Sequence, residues 1–598
     1  MNLSHLLRTP VEERERGAAL VLVLGVTVLL SGLVVAAIAY ATGAARQSQR
    51  DQGWSAALAA AYAGVEEYES RLAADLTYYS YGNPAAPFSA GSPVQMPPVG
   101  ADNPAFALGA GGPWATVAGS DGTAQFRYEV DSSKFLSDGI LRVRSTGRSG
   151  GQTRSIVADL RQRGFIDFLY FTDFEVSDPQ AKSPTSTLNC AFYYYEGTRP
   201  SSCGEIFFGG QDKIYGPVHS NDAIHTNGKA EFHGKVTTAY DAPGSDRNYV
   251  RQSSTTAPWF ENGTTDPQNV SKIGMPATNA ELRKETLPDI PTKVPNPGCL
   301  YTGPTKITLH ANGKMTVVSP WTKHTNPNEA GAAGTANPEC GTPGSGGLAK
   351  RDGSGVYVGQ TLDVPQNHIV YVQNVPNVAG NVNTHTGSRP PHPSSGAANC
   401  ASESNSIGFP RKTGSTSTTE KPPFSAAYGC RAGDLFVEGT LKGRATFAAE
   451  NYVYVTGDVE YTDSSPDGDM LGLVGNNAVW VWNPVNSSGT ALLGKDRQID
   501  AAILSVAHTF MVQNYDEGGK RGTLTVNGAI AQRFRGPVGT SSGGSLNNGY
   551  AKNYRYDTRF RQTAPPKFLS PVTTTYGVNV WVEVEPAFAA DGTSLDDA

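Results

Sequence analysis

The sequence predicts a long N-terminal helix carrying a small antiparallel-sheet head (α+β), followed by a large, mainly β domain whose expected form is a β-solenoid. Three observations predict it. No residue from Ala18 to Ala45 is charged. Further on, an apolar-x-Gly-x-apolar pattern recurs, and Gly216 stands as far from Gly234 as Gly439 does from Gly457. The 598 residues include 67 Gly and 40 Pro with only 17% charged residues, a composition of turns and short strands. At this length several domains are expected, because single cores stop growing well below it.

A bilayer core takes about 20 apolar residues in a helix, so residues 18–45 suffice for a transmembrane span. Arg8, Arg14 and Arg16 precede the run while Arg46 and Arg50 follow it, a slight bias in favour of a cytoplasmic N-terminus. An ordinary secretory signal has an apolar region of only about 7–15 residues. Here Gly17 separates the charged stretch Glu12–Arg16 from the first apolar residue, Ala18. Beyond the span no proline occurs until Pro84. Trp54, Leu58, Tyr62, Val65, Leu72 and Leu76 recur at helical spacing, interrupted by Glu69, and predict one buried stripe. The whole helix should run about 60 residues, roughly 90 Å at 1.5 Å per residue.

A short charged leader ending in Gly17, then an uninterrupted apolar helix, resembles the class III signal of type IV pilins. The segment AALAAAYAGVEE, with Ala63-Gly64-Val65-Glu66, is similar to the A-x-A-G-x-x-E stretch of PilX-type N-terminal domains, found in minor pilins and pseudopilins. The resemblance runs from the N-terminus to the neighbourhood of Ser80. It implies a leader peptide over residues 1–17, cut by a prepilin peptidase between Gly17 and Ala18. It further implies other pilin subunits as partners through the helix, and an extracytoplasmic ectodomain held at the cell membrane or on a pilus. Major pilins carry a glutamate at the fifth mature position; here that position is Leu22, which suits a tip or initiating subunit.

Residues 82–122 read as an irregular Pro/Gly-rich excursion. Gln125–Val130, Ile140–Ser145 and Thr153–Leu160 read as strands, with Phe126, Tyr128 and Val130 alternating against polar residues. The turn signal Thr146–Gly151 joins the second and third. Three such strands over the helix would complete a pilin-like unit spanning residues 18–163.

Residues 164–586 form the expected β-rich displayed domain, with 587–598 as a flexible tail. The glycine pattern centres on Gly216, Gly234, Gly439, Gly457, Gly528 and Gly536. A period of about 20 residues suits stacked solenoid rungs, and a β-sandwich is the alternative. Excursions at 240–300, 320–355 and 376–432 interrupt the pattern. The six cysteines form no C-x-x-C pair and suggest disulfides in an oxidising compartment. The expected pairs are nearest neighbours: Cys190–Cys203, Cys299–Cys340 and Cys400–Cys430.

A net charge of -6 with no long basic run excludes an obvious nucleic-acid face. His219, Asn221, Asp222, His225 and His233 are residue types that ligate metals, but Asn221 and Asp222 read rather as turn formers bonding nearby backbone, and no metal ligand is assigned. Asp463–Asp469 resembles the start of a calcium loop but has Val474 at the twelfth position, so weak calcium binding is the only cofactor expectation. Two G-x-S-x-G matches, at Ser149 and Ser541, lack the strand-to-helix setting of a nucleophile elbow. Trp480 and Trp482 should face one side of a strand and be core residues. No catalytic residue stands out. The leading expectation is a noncatalytic minor pilin or pseudopilin whose β domain acts in assembly initiation or adhesion, with a surface or glycan ligand. A membrane-anchored polysaccharide-active β-helix enzyme is the alternative.

Overall fold

The computed structural model describes residues 12–135, 140–162, 164–181, 183–197, 199–241, 247–252, 256–261, 267–289, 297–335, 337–391, 405–424, 427–542, 545–561, 563–571 and 576–596. The chain divides into two units, Met1–Gln162 with Tyr576–Ala598, and Arg163–Thr575.

In the first unit one unbroken helix runs Glu12–Ala74. It contains a stretch long and apolar enough to cross a membrane, and the side chains from Leu20 to Tyr40 that form it stand exposed. From Ala57 onward the helix packs on a sheet through Ala57, Ala60, Ala61, Val65, Tyr68 and Leu72. Trp54 and Tyr62, expected on the buried stripe, are instead 47% and 37% exposed. The seam is too tight for rings at its upper end. A Cβ on Gly64 would lie 2.3 Å from Ser145 Oγ, and one on Gly147 only 2.1 Å from the Ala57 carbonyl oxygen. The alanine run therefore brings helix and sheet backbones together.

That sheet is antiparallel. Strands Ala124–Asp131, Ile140–Ser149 and Gln152–Gln162 follow one another, the last two turning at Gly150-Gly151, where both residues have positive φ. Ala115–Thr116 adds one edge. The other edge is the C-terminal strand Tyr576–Val584, which pairs along Gln152–Gln162 with Tyr576 opposite Gln162. This corrects two expected boundaries, since residues 576–586 do not belong to the large β unit and 587–596 are not a loose tail. Ala587 and Phe588 are buried beside Trp114. Arg127 donates to the carbonyl oxygens of Gly109, Gly112, Pro113 and Gly592, and Arg148 to that of Ala590. Arg144 bonds Asp596 at 2.9 Å. The C-terminal segment thus covers the face that strand alternation had assigned to solvent, and Arg127 and Glu129 are buried.

The second unit is built on parallel ladders. Cys299–Thr302, His368–Gln373, Arg444–Ala449, Met470–Gly475, Arg497–Ser505 and Lys520–Arg535 stack in succession. Lys520–Arg535 then pairs with Tyr170–Ser177, which leads to Val218–Ser220, Val236–Thr238 and Gln268–Asn269. Spatial order thus differs from chain order. The unit's first long strand lies mid-stack, the chain climbs to residue 269, then crosses to the far end at Cys299 and climbs back. A second ladder joins Thr305–His310, Leu435–Leu441, Tyr452–Tyr461, Ala478–Val481 and Phe510–Val512. At the Cys299 end, Lys314–Val318 and Gln360–Asp363 continue the sheet in antiparallel fashion.

The spacing shared by the two glycine pairs is one step of the stack: Val218 faces Val236, and Val437 faces Val455. Gly216 and Gly234 also lie together, a Cβ on Gly234 falling 2.5 Å from the Gly216 carbonyl carbon. Gly439 does not meet Gly457. A register shift after Val437 sets it opposite Val459. Inward side chains such as Ile307, Val370, Val437, Val455, Val479, Ile503 and Ile530 make one continuous core.

Candidate functional site

Cys190 is bonded to Cys203 and Cys299 to Cys340, as the nearest-neighbour pairing expects. Cys430 is also disulfide-bonded, while Cys400 lies outside the described residues. The Gly17–Ala18 junction falls inside the long helix.

The His219–His233 cluster does not converge. His219 is fully buried, its ring against Phe168 and Phe171, with Nδ1 2.9 Å from Thr237 Oγ1 and Nε2 2.9 Å from Asn221 Oδ1. His225 is buried between Tyr194 and Phe207, and burial, with Arg199 and Arg535 nearby, pushes its pKa down to about 3. It is therefore neutral at ordinary pH. His233 lies on the outer surface, stacked on Tyr215 and 3.2 Å from Glu231. Among the described residues no group of three His, Cys, Asp or Glu is placed to hold a metal.

Asp222 has a different task. Its Oδ2 accepts from the Glu175 N–H at 3.0 Å and from Arg199, and its Oδ1 from the Tyr194 N–H at 2.7 Å. Arg199 also forks onto Glu205 at 2.7 and 2.9 Å, and Arg535 reaches Glu175 at 2.7 Å. Burial raises the pKa of Glu175 and of Glu205. Three carboxylates and two guanidinium groups thus knit the Cys190–Cys203 loop to the ladder strands. Removing one partner of such a set is costly, because it strands a buried charge. The sequence marks Asp222 but gives no sign of Arg199 or Arg535, whose partners lie up to 360 residues away.

In the Asp463–Asp469 loop two of the carboxylates are engaged by the chain itself. Asp463 accepts from the Ser465 N–H and Oγ, and Asp469 from the N–H groups of Asp463 and Gly443. Ser149 and Ser541 lie in antiparallel hairpins, with no helix following. Trp480 and Trp482 are both buried. They join Phe409, Tyr428, Phe436 and Tyr454 in an aromatic layer on the outside of the second ladder, covered by part of the 376–432 excursion. The buried Glu420 carboxylate of that cover accepts from Tyr428 Oη, Trp482 Nε1 and Gln513 Nε2. Two outward acidic residues are paired with bases: Glu438 with Lys306 at 2.8 Å and Asp212 with Lys552 at 2.9 Å.

The fold combines one N-terminal helix long and apolar enough to cross a membrane, a small antiparallel head and a large β unit of parallel ladders. The chain matches no protein family's sequence profile and no curated protein sequence. Among solved structures it is similar to the competence-associated pilin ComZ from Thermus thermophilus, at 11% identity, covering 89% of this chain and 98% of that one. The TM-score is 0.24, too low to carry an argument about fold or function.

Proposed function

We propose that the chain is a noncatalytic minor pilin or pseudopilin, cut between Gly17 and Ala18 by a prepilin peptidase. It displays residues 163–575 at a filament tip or cell surface, for assembly initiation or adhesion. The observation that carries this reading is the single helix Glu12–Ala74, apolar and exposed in its first half and seated on an antiparallel sheet in its second. One element thereby serves as both anchor and core of the head. The displayed unit is read as a β-solenoid, supported by successive parallel strands and by the Val218–Val236 and Val437–Val455 registers. The Glu438–Lys306 and Asp212–Lys552 pairs on its outer surface, with Asp222, Arg199, Arg535 and Glu175 engaged with one another inside, support recognition rather than turnover.

The pairing of Gln162 with Tyr576 supplies a test, since the large unit leaves and re-enters the head at adjacent antiparallel positions. Replacing residues 163–575 by an Asn-Gly turn should leave a head that still enters filaments or the surface fraction, with attachment lost. If removing the whole protein leaves filament assembly, filament number and attachment all unchanged, the reading is wrong.

A further inference from the structure

The outward side chains of the large unit fall into three sets. On the second ladder the outward Phe436, Tyr454 and Trp480 are aromatic and covered, as described above, while Lys306 and Glu438 pair with each other. Those of the first, including Leu300, Ile369, Tyr371, Val474 and Leu504, are apolar and covered by Ile273, Leu282 and Phe568. The third set lies on the ladder that joins Lys520–Arg535, Ser545–Tyr556, Lys213–Tyr215, Glu231–Phe232 and Trp259–Phe260. Here the outward positions are open, and they are not apolar.

They form two columns. One runs Thr525, Asn553, Lys213, Glu231, Trp259, and the other Asn527, Arg555, Tyr215, His233, by the register of the strands. Five strands at about 4.8 Å make a flat strip of roughly 19 Å. Lys213 meets Glu231 at 3.3 Å and Asn553 donates to Thr525 at 3.2 Å, so the polar groups are mutually aligned. Toward the residue 259 end the strip turns aromatic. Tyr215 and His233 stack with centroids 4.5 Å apart, and Trp259 follows at 4.9 Å, tilted by 51°. Tyr215 is 38% and Trp259 39% exposed.

We infer that this open strip binds an uncharged linear glycan lying along the ladder axis, with a sugar ring against Trp259. The inference rests on the reading of the large unit as a displayed recognition domain and names its ligand class. Hydroxyls and amides in register suit a chain of repeated hydroxyl-bearing rings, and an exposed indole suits the apolar face of one ring. A polyanion would need unpaired basic groups, whereas Lys213 is paired with Glu231. A lipid surface, or the buried core of a protein interface, would need a continuous apolar area that the polar columns deny it.

The test uses the full-length protein in lauryldimethylamine oxide, a detergent without sugar. Its migration is followed in native gels containing hydroxyethylcellulose, arabinoxylan, galactomannan or, as the polyanion, alginate. At least one neutral polysaccharide should retard it, equally at low and high salt. Trp259→Ala and Tyr215→Ala should each weaken the retardation roughly tenfold, as expected of an anchoring aromatic ring. Lys213→Ala should weaken it less, and Tyr194→Ala, off the strip, should leave it unchanged; all should melt as the parent does. No retardation by any neutral polysaccharide, full retardation of both ring variants, or retardation by alginate alone would overturn the inference. Surface display is scored separately in cells. A parent protein that is retarded yet never reaches the surface would sink the proposed function and leave this inference standing.

Discussion

At Gly147 an added methyl group would sit 2.1 Å from the Ala57 carbonyl oxygen, with backbone on both sides of the clash. Gly147→Ala should therefore destabilise the head by about 1–3 kcal/mol, the usual cost of overpacking. Gly43→Ala, with nothing within 4 Å, should not, and the melting of the full chain in detergent separates the two. Asp434 makes a pH prediction for the large unit. Burial pushes its carboxyl up to about 7, with a backbone N–H from Tyr452 at 3.3 Å as partial relief. The unfolded value is roughly 3.9. The folded state holds the proton more tightly, so this group's contribution is full below about pH 4 and is lost as pH rises through about 7. Asp434→Asn should accordingly gain melting temperature on the parent between about pH 5 and pH 8, and a constant offset across that range would count against the assignment. Neither environment was legible in sequence: Gly147 falls within the turn signal Thr146–Gly151 but packs on Ala57 and Ala61 of the distant helix, and Asp434 is buried beside Tyr452 of a neighbouring ladder strand.

Among the elements, the N-terminal helix and the three consecutive head strands were legible because their signals are local, an unbroken apolar run and a two-residue alternation. The buried stripe of the helix was not. Large side chains mark a hydrophobic face, but here close approach selects Ala57, Ala60, Ala61 and Gly64, and leaves Trp54 and Tyr62 at its margin. The C-terminal strand was not legible as part of the head, since the whole large unit separates it in sequence from its partner Gln152–Gln162. Deleting residues 576–598 should uncover one edge of Gln152–Gln162 and take away the Gly592, Ala590 and Asp596 partners of Arg127, Arg148 and Arg144. Trypsin should then cut the head between Arg127 and Arg161 while the large unit keeps its melting transition. A head as resistant as in the full chain would show that the strand is dispensable.

For the whole molecule, the recurring glycine spacing identified the stacking step, and the Val218–Val236 and Val437–Val455 registers match it. The order of stacking could not be read, because the repeat is interrupted by excursions and the chain enters mid-stack at Tyr170. The candidate site was legible only in part. The histidines and Asp222 were found, but they divide among a core, an ion network and an outer strip, since only the ladder register decides which way each points. In the proposed function, one helix anchors the head and carries a displayed unit through a pilin pathway. The most direct measurement is the N-terminal peptide mass of the protein from its native membrane, with and without the prepilin peptidase. The account predicts an N-terminus at Ala18 that appears only when the peptidase is present. An N-terminus at Met1 in both strains would contradict it and leave an ordinary anchored ectodomain.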